Sequence, residues 1–246
     1  MGSIVLADVS YGVPGRVLLD GITVTLAARR VGIVGRNGSG KTTLLRLIAG
    51  LVAPSAGRVR LGGVDPYGDR KAALARVGIL FQNPDHQILF PTVEEELAFG
   101  LSQMGVGDAM ARARARLAAE GRADWGGRAV STLSHGQKQW LCLQAVLLMG
   151  PETILLDEPF AALDLPTEAR LRRQLAGLPQ RLVTIAHKPG DLAGCDEVLW
   201  LEAGRVAGFG PPDQVLPTFT AEMARLGAED SGADDLGAED LGAAEC

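Results

Sequence analysis

The sequence predicts an α/β fold: a largely parallel sheet covered by helices, with a helical insertion projecting from it. Three observations carry this. The stretch Gly35–Thr42 (GRNGSGKT) fits the phosphate-loop pattern and stands between a β-run and a helical run. Strand-like and helix-like segments alternate again from Thr153 to Glu202. Between about residues 85 and 149 the pattern becomes mostly helical.

In chain order, Ser3–Val9 and Gly21–Leu26 alternate polar and apolar residues about a Gly/Pro-rich turn, Gly12–Gly15, and read as short strands. Arg30–Val34 is a strand that enters the phosphate loop, and Thr42–Ala49 is a helix closed by Gly50. Gly57–Leu61 and Val77–Phe81 are further strands. Glu94–Leu101, Asp108–Ala119 and Gly136–Leu148 carry apolar residues at helical spacing. Thr153–Asp157, Leu182–Ala186 and Glu197–Glu202 are strands, with the helix Thr167–Leu175 between the first two. LGAED occurs at Leu226–Asp230 and again at Leu236–Asp240. Such a stretch has too little apolar surface to offset its ordering entropy, so residues 1–226 are expected to form the folded domain and 227–246 an unordered acidic tail.

Bulk properties narrow the function classes. Of 246 residues, 47% are hydrophobic and 22% charged, the balance of a soluble globular protein. No run approaches the roughly 18 apolar residues of a membrane span, and the N-terminus shows no basic-then-apolar leader. The net charge of −5 comes from the acidic tail; the body is near neutral, and nothing suggests a nucleic-acid surface. Cys142, Cys195 and Cys246 form no close pair and no metal-ligand spacing, which fits a reducing compartment.

The phosphate loop explains its own composition. Gly35, Gly38 and Gly40 let successive N–H groups turn inward around the β- and γ-phosphates of ATP, with Asn37, Ser39 and Thr43 completing the cradle. Lys41 offers a cation to the β/γ oxygens, and Thr42 places a hydroxyl on Mg²⁺. Ile154–Asp157 is an apolar strand ending in a carboxylate, followed by Glu158. Parallel strands present their C-terminal ends to the side where the phosphate loop lies. Asp157 would hold magnesium through water, and Glu158 would prepare the attacking water, a general-base role worth about 10²–10⁴-fold. The bland alternative is a structural Asp-Glu cap before Pro159.

Leu133-Ser134-His135-Gly136-Gln137, ahead of a long helix, resembles the signature motif of ATP-binding-cassette (ABC) ATPases, usually LSGGQ. Other elements follow in the order that family requires. Tyr11 stands where an aromatic stacks on adenine, Gln82 as the Q-loop residue, Ala162-Leu163-Asp164 as the D-loop, and His187 as the switch histidine. The resemblance implies an α/β P-loop NTPase: a RecA-like core, an antiparallel β subdomain and a helical signature subdomain at about residues 85–149. It also implies catalytic roles for Glu158, His187 and Gln82, and magnesium ligation by Thr42, Gln82 and Asp157. ATP would be held between the phosphate loop of one chain and Ser134, His135, Gly136 and Gln137 of a second, which is either a copy or a related paralogue. Asp164 would link the two half-sites. Two positions depart from the pattern: His135 replaces the usual glycine, and Lys188 follows His187 in place of an acid.

Phe81–Gly100 (FQNPDHQILFPTVEEELAFG) is similar to the Q-loop and following helix of energy-coupling-factor (ECF) ATPases, which drive uptake of vitamins, cobalt or nickel. That implies a membrane-embedded T component, a substrate-binding S component, and a peripheral place on the cytoplasmic face of the inner membrane. The short stretch after Pro217 and the altered signature lean toward cobalt or nickel, then biotin. Soluble ABC ATPases of DNA repair or translation form a second class, but their paired cassettes, zinc modules and long coiled coils are not found here. Glu94–Glu96 carry two readings: a surface for basic side chains of the T component, or the acids that a helix N-terminus favours.

Overall fold

A computed structural model of the chain describes residues 2–236, with side chains to residue 228. In chain order the strands are β1 (Ile4–Val13), β2 (Arg16–Leu26), β3 (Arg30–Val34), β4 (Ala56–Leu61), β5 (Val77–Leu80), β6 (Thr153–Asp157), β7 (Arg181–Ile185), β8 (Glu197–Glu202) and β9 (Arg205–Gly210). The helices are α1 (Lys41–Ile48), α2 (Arg70–Leu74), α3 (Val93–Gln103), α4 (Ala109–Ala119), α5 (His135–Leu148), α6 (Leu165–Ala176) and α7 (Pro212–Leu236).

Two sheets result. The smaller is antiparallel, in the order β2-β1-β4; the larger runs β5-β6-β7-β3-β8-β9, parallel except for β9. Every residue of β6 and β7 is buried, as expected of parallel strands covered on both faces. The register sets Ile185 beside both Ile33 and Asp157, so β3, β7 and β6 end side by side at one edge of the sheet. That alignment is what places the phosphate loop next to the Asp157–Glu158 carboxylates.

A separate layer is built by α3, α4 and α5 around Val93, Leu97, Leu101, Ala113, Leu117 and Leu141. Trp125 and Trp140 meet edge-on at 5.6 Å, and the Arg122 guanidinium lies 4.5 and 4.1 Å from their ring centres. Cation–π contacts of this kind contribute about 0.5–2 kcal/mol each, and they tie the loop before α5 to the helix itself.

The first hairpin is longer than predicted: β1 reaches Val13 and β2 begins at Arg16, because Gly15 takes a φ of 78° at the turn. Three elements have no counterpart in the sequence-based reading. In β9 the two glycines of Arg-Val-Ala-Gly-Phe-Gly hide a strand that pairs along β8. α2 is a single short turn capped by Asp69. α7 continues through residues 227–236, where composition predicts an unordered tail. Val215 and Phe219 anchor its first turns in a cluster with Trp200. Once nucleated, each added residue gains a backbone bond, and Leu, Ala and Glu are good helix formers. The remainder of that tail, residues 237–246, lies outside the described residues.

The three acids opening α3 find partners within the chain, which accords with the second of their two readings, the acids of a helix N-terminus. Glu94 pairs with Arg114 at 2.8 Å, and Glu95 forms a capping box with Thr92. Glu96 is 5% exposed and accepts the N–H groups of Leu89 and Phe90, both at 2.9 Å. The segment Ile88–Phe90 is therefore held by a buried carboxylate. Glu96→Leu removes a charged acceptor worth about 2 kcal/mol, and should lower the melting midpoint by roughly 5 °C in scanning calorimetry for a chain of this size. An unchanged midpoint would show that the carboxylate is free for another use.

Candidate active site

The phosphate loop follows β3 directly. At Gly35 (φ 154°) a Cβ would fall 2.2 Å from the Leu201 carbonyl oxygen and 2.5 Å from Ser39 Oγ, so only glycine fits. Lys41, the first residue of α1, is buried, and its Nζ donates to the carbonyls of Gly35 (2.8 Å) and Arg36 (2.9 Å). Burial lowers its pKa, while the charges of Glu158, Asp157 and Glu202 act in the opposite sense. Ser39 is 2% exposed and its Oγ has no hydrogen-bond partner among the described residues. Asn37 and Gly38 are exposed and Thr43 half-buried at the loop's open side. A cradle with a sunken ammonium, a spare hydroxyl and a helix N-terminus suits a polyphosphate.

Asp157 and Glu158 face this loop. Thr42 Oγ1 donates to Asp157 Oδ1 at 3.3 Å. Burial first, and the adjoining Glu158 charge second, push the Asp157 carboxyl above the usual range, against the Thr42 hydrogen bond. Glu158 sits at a φ of 49°, a left-handed conformation that costs a non-glycine residue about 1–3 kcal/mol. The strain aims its carboxylate outward: Oε1 lies 2.5 Å from His187 Nε2, and Oε2 accepts from Gln82 Nε2 at 2.9 Å. The three residues singled out for catalysis thus converge on one point. The Thr42 hydroxyl and the Asp157 carboxylate are oxygen donors side by side, of the kind that suits a hard divalent cation.

The signature residues stand elsewhere. Ser134 caps α5 in a reciprocal box: its Oγ accepts from Gln137 N (3.3 Å), and Gln137 Oε1 accepts from Ser134 N (2.9 Å). This helix N-terminus opens on a cleft of about 570 Å³ that Ser134, Gly136, Gln137, Trp140, Leu163 and Thr167 help to line; no phosphate-loop residue reaches it. The signature residues and the phosphate loop therefore lie apart within one chain. Asp164 caps α6 through Thr167 N (2.8 Å), a bond that holds its carboxyl below the usual range. A Cβ on Gly136 would meet Thr167 Cγ2 at 2.6 Å. Tyr11 pairs with Leu19 across the first hairpin and is half-buried against the main core.

Two residues here escape sequence reasoning. Arg16, at the start of β2, brings its Nη2 to 3.9 Å from where a Gly38 Cβ would stand, so its guanidinium hangs over the phosphate loop. Thr167 is the seat of Gly136. Neither falls in a motif, and both are placed by packing across distant segments.

A phosphate loop following a parallel strand, with a pair of carboxylates beside it, is the arrangement of a nucleoside-triphosphate hydrolase: the molecule is a phosphate-loop ATPase. The ABC transporter family model matches residues 19–161, and the chain belongs to that family. It is 53% identical to the biotin transport ATP-binding protein BioM of Rhodobacter capsulatus, over 93% of this chain and 100% of that one. It is 40% identical to the nickel import ATP-binding protein NikO of the same organism, over 90% and 94%. Among solved structures it is similar to CbiO1 of Clostridium perfringens, part of the ABC transporter complex CbiONQ. That likeness has a TM-score of 0.72 and 26% identity, and covers 93% of this chain and 98% of that one.

Proposed function

We propose that this chain is the ATPase subunit of an ECF-type importer whose solute is biotin, with nickel or cobalt as the second reading. The observation that carries the solute is the identity gradient: 53% to the biotin protein against 40% to the nickel protein, each across nearly the whole chain. Biotin thereby moves ahead of the metal ions that the sequence reading put first. No helix among the described residues is long and apolar enough to cross a membrane. The chain takes a peripheral place on the cytoplasmic face, bound to a membrane-embedded T component and a substrate-binding S component.

Hydrolysis follows from the geometry. Lys41 exchanges the carbonyls of Gly35 and Arg36 for β/γ-phosphate oxygens, and the loop N–H groups hold the rest of the triphosphate. Thr42, Asp157 and Gln82 would hold a magnesium ion, which would neutralise charge on the phosphates. Glu158 accepts a proton from water as its oxygen attacks the γ-phosphorus; the bond to the β–γ bridging oxygen breaks, leaving ADP and phosphate. His187, bonded to Glu158 Oε1, keeps the carboxylate in line. Tyr11 stacks on the adenine. Ser134, Gly136 and Gln137 of a second copy or a close paralogue complete the site, bringing the dipole of their α5 to the γ-phosphate, and Asp164 links one half-site to the other.

The test is transport. The chain, co-expressed with its membrane partners and reconstituted in vesicles loaded with ATP, should accumulate labelled biotin. Uptake of cobalt or nickel without biotin would assign the metal system instead. A chain that captures no membrane partner would belong with the soluble ABC ATPases.

A further inference from the structure

We infer that Arg172 is a positioning residue for hydrolysis: it clamps the turn after His187 to the turn after Glu158, and so keeps those two side chains aligned. Arg172 lies midway along α6, outside every motif that marks the nucleotide site. Three neighbours fix its guanidinium. Nη2 pairs with Glu168 Oε1 at 2.7 Å and with Asp191 Oδ1 at 2.6 Å, and Nε donates to Glu168 Oε1 at 2.8 Å. The guanidinium carbon stands 3.8 Å from the centre of the Phe160 ring. An isolated surface ion pair would contribute little. Here one planar fork is shared between two half-buried carboxylates and stacked on an aromatic face, so its place is set from three sides.

Two of these neighbours lead to the hydrolytic pair. Asp191 belongs to the short turn Pro189–Leu192, which opens two residues after His187. Its N–H donates to the Lys188 carbonyl at 3.0 Å, and Leu192 roots the turn in the core. Phe160 follows Glu158 by two residues. The segment 158–162 is left-handed at both ends, with φ 49° at Glu158 and 59° at Ala162. Such conformations persist in non-glycine residues only where the surroundings over-determine them, and the Phe160 ring under Arg172 pins the middle of this segment. The sheet joins β6 to β7 as far as the Glu158 N–H, which donates to the Ile185 carbonyl at 3.2 Å. Past that point Arg172 bridges the two chains. The contact of His187 Nε2 with Glu158 Oε1 at 2.5 Å spans the same gap. Glu158, His187, Glu168 and Asp191 all line one cleft of about 250 Å³. Releasing the clamp frees the two turns to move against each other, and the pair loses its alignment. None of these contacts involves the phosphate loop, so the grip on nucleotide is left intact.

The inference rests on Glu158 and His187 as the hydrolytic pair. The purified full-length chain is compared as parent, Arg172→Gln, Asp191→Ala and the double variant, in steady-state ATP hydrolysis and in NMR spectra of histidine-labelled protein. Arg172→Gln should lower kcat by about three- to tenfold, the rate equivalent of one ordinary hydrogen bond, with KM for ATP unchanged. Asp191→Ala should act in the same direction, and the double variant should lose little more, because the bond is already gone. The chain has three histidines, and the His187 imidazole signal should move in each variant while those of His86 and His135 stay in place. A lowered melting midpoint with parental kcat and an unmoved His187 signal would make Arg172 a brace of the fold alone and overturn the inference. A raised KM with kcat intact, or additive losses in the double variant, would overturn it too. Should Arg172→Gln fail to fold, Asp191→Ala in its surface turn decides by the same two readouts. Parental turnover in Glu158→Gln would overturn the hydrolytic pair itself, a result distinct from any of these.

Discussion

Glu158→Gln should bind ATP as the parent does and lose about 10²–10⁴-fold in turnover, since an amide cannot take the proton that a carboxylate takes. The surroundings make the isostere a clean test. The left-handed backbone at residue 158 (φ 49°) is unaffected by the change. The Gln82 contact at 2.9 Å survives through the amide oxygen. His187, 2.5 Å away, can present an unprotonated Nε2 to the amide N–H. Binding is then preserved while the proton acceptor is gone. With magnesium and ATP, the variant should elute as a dimer on size exclusion, because the nucleotide that closes the two half-sites is no longer consumed. Phosphate release at the parental rate would remove Glu158 from the role of base.

Lys41→Ala should abolish most nucleotide binding. The Lys41 ammonium already sits inside the loop on two carbonyl oxygens, 2.8 and 2.9 Å away, which it exchanges for phosphate oxygens. Charge-assisted contacts to phosphate are the strong ones, and nothing else buried in the loop carries positive charge. Thermal unfolding reads this directly. At ATP near 100 times its dissociation constant the parent should gain about 2.7 kcal/mol, and the variant far less at the same concentration. Equal ATP-induced shifts in the two proteins would show that the loop does not grip phosphate through Lys41.

The site was more legible in the sequence than its setting. Gly35–Thr42 and Ile154–Glu158 are short contiguous segments whose chemistry depends on local backbone geometry, and a run of residues records that completely. Gln82 and His187 were named only through the order of motifs that the resemblance implies, and each stands just past the end of a strand of the larger sheet. Glu94–Glu96 could not be resolved, since helix caps and docking surfaces call for the same residue type; the answer lay in burial, with Glu96 5% exposed beneath Leu89 and Phe90. The end of the folded body was misread for a related reason. Composition measures what a segment can bury alone, whereas α7 is started by Val215 and Phe219 on the sheet and carries later residues with it. Arg16 and Thr167 gave no signal, being brought to the site only by tertiary contact.

The seat of Gly136 against Thr167 bears on how this chain can drift over generations. A methyl group at position 136 would meet Thr167 Cγ2 at 2.6 Å within the fold itself, so packing as well as hydrolysis constrains that position. Replacing Gly136 asks Thr167 to move as well, so these two positions, distant in sequence, are expected to change together.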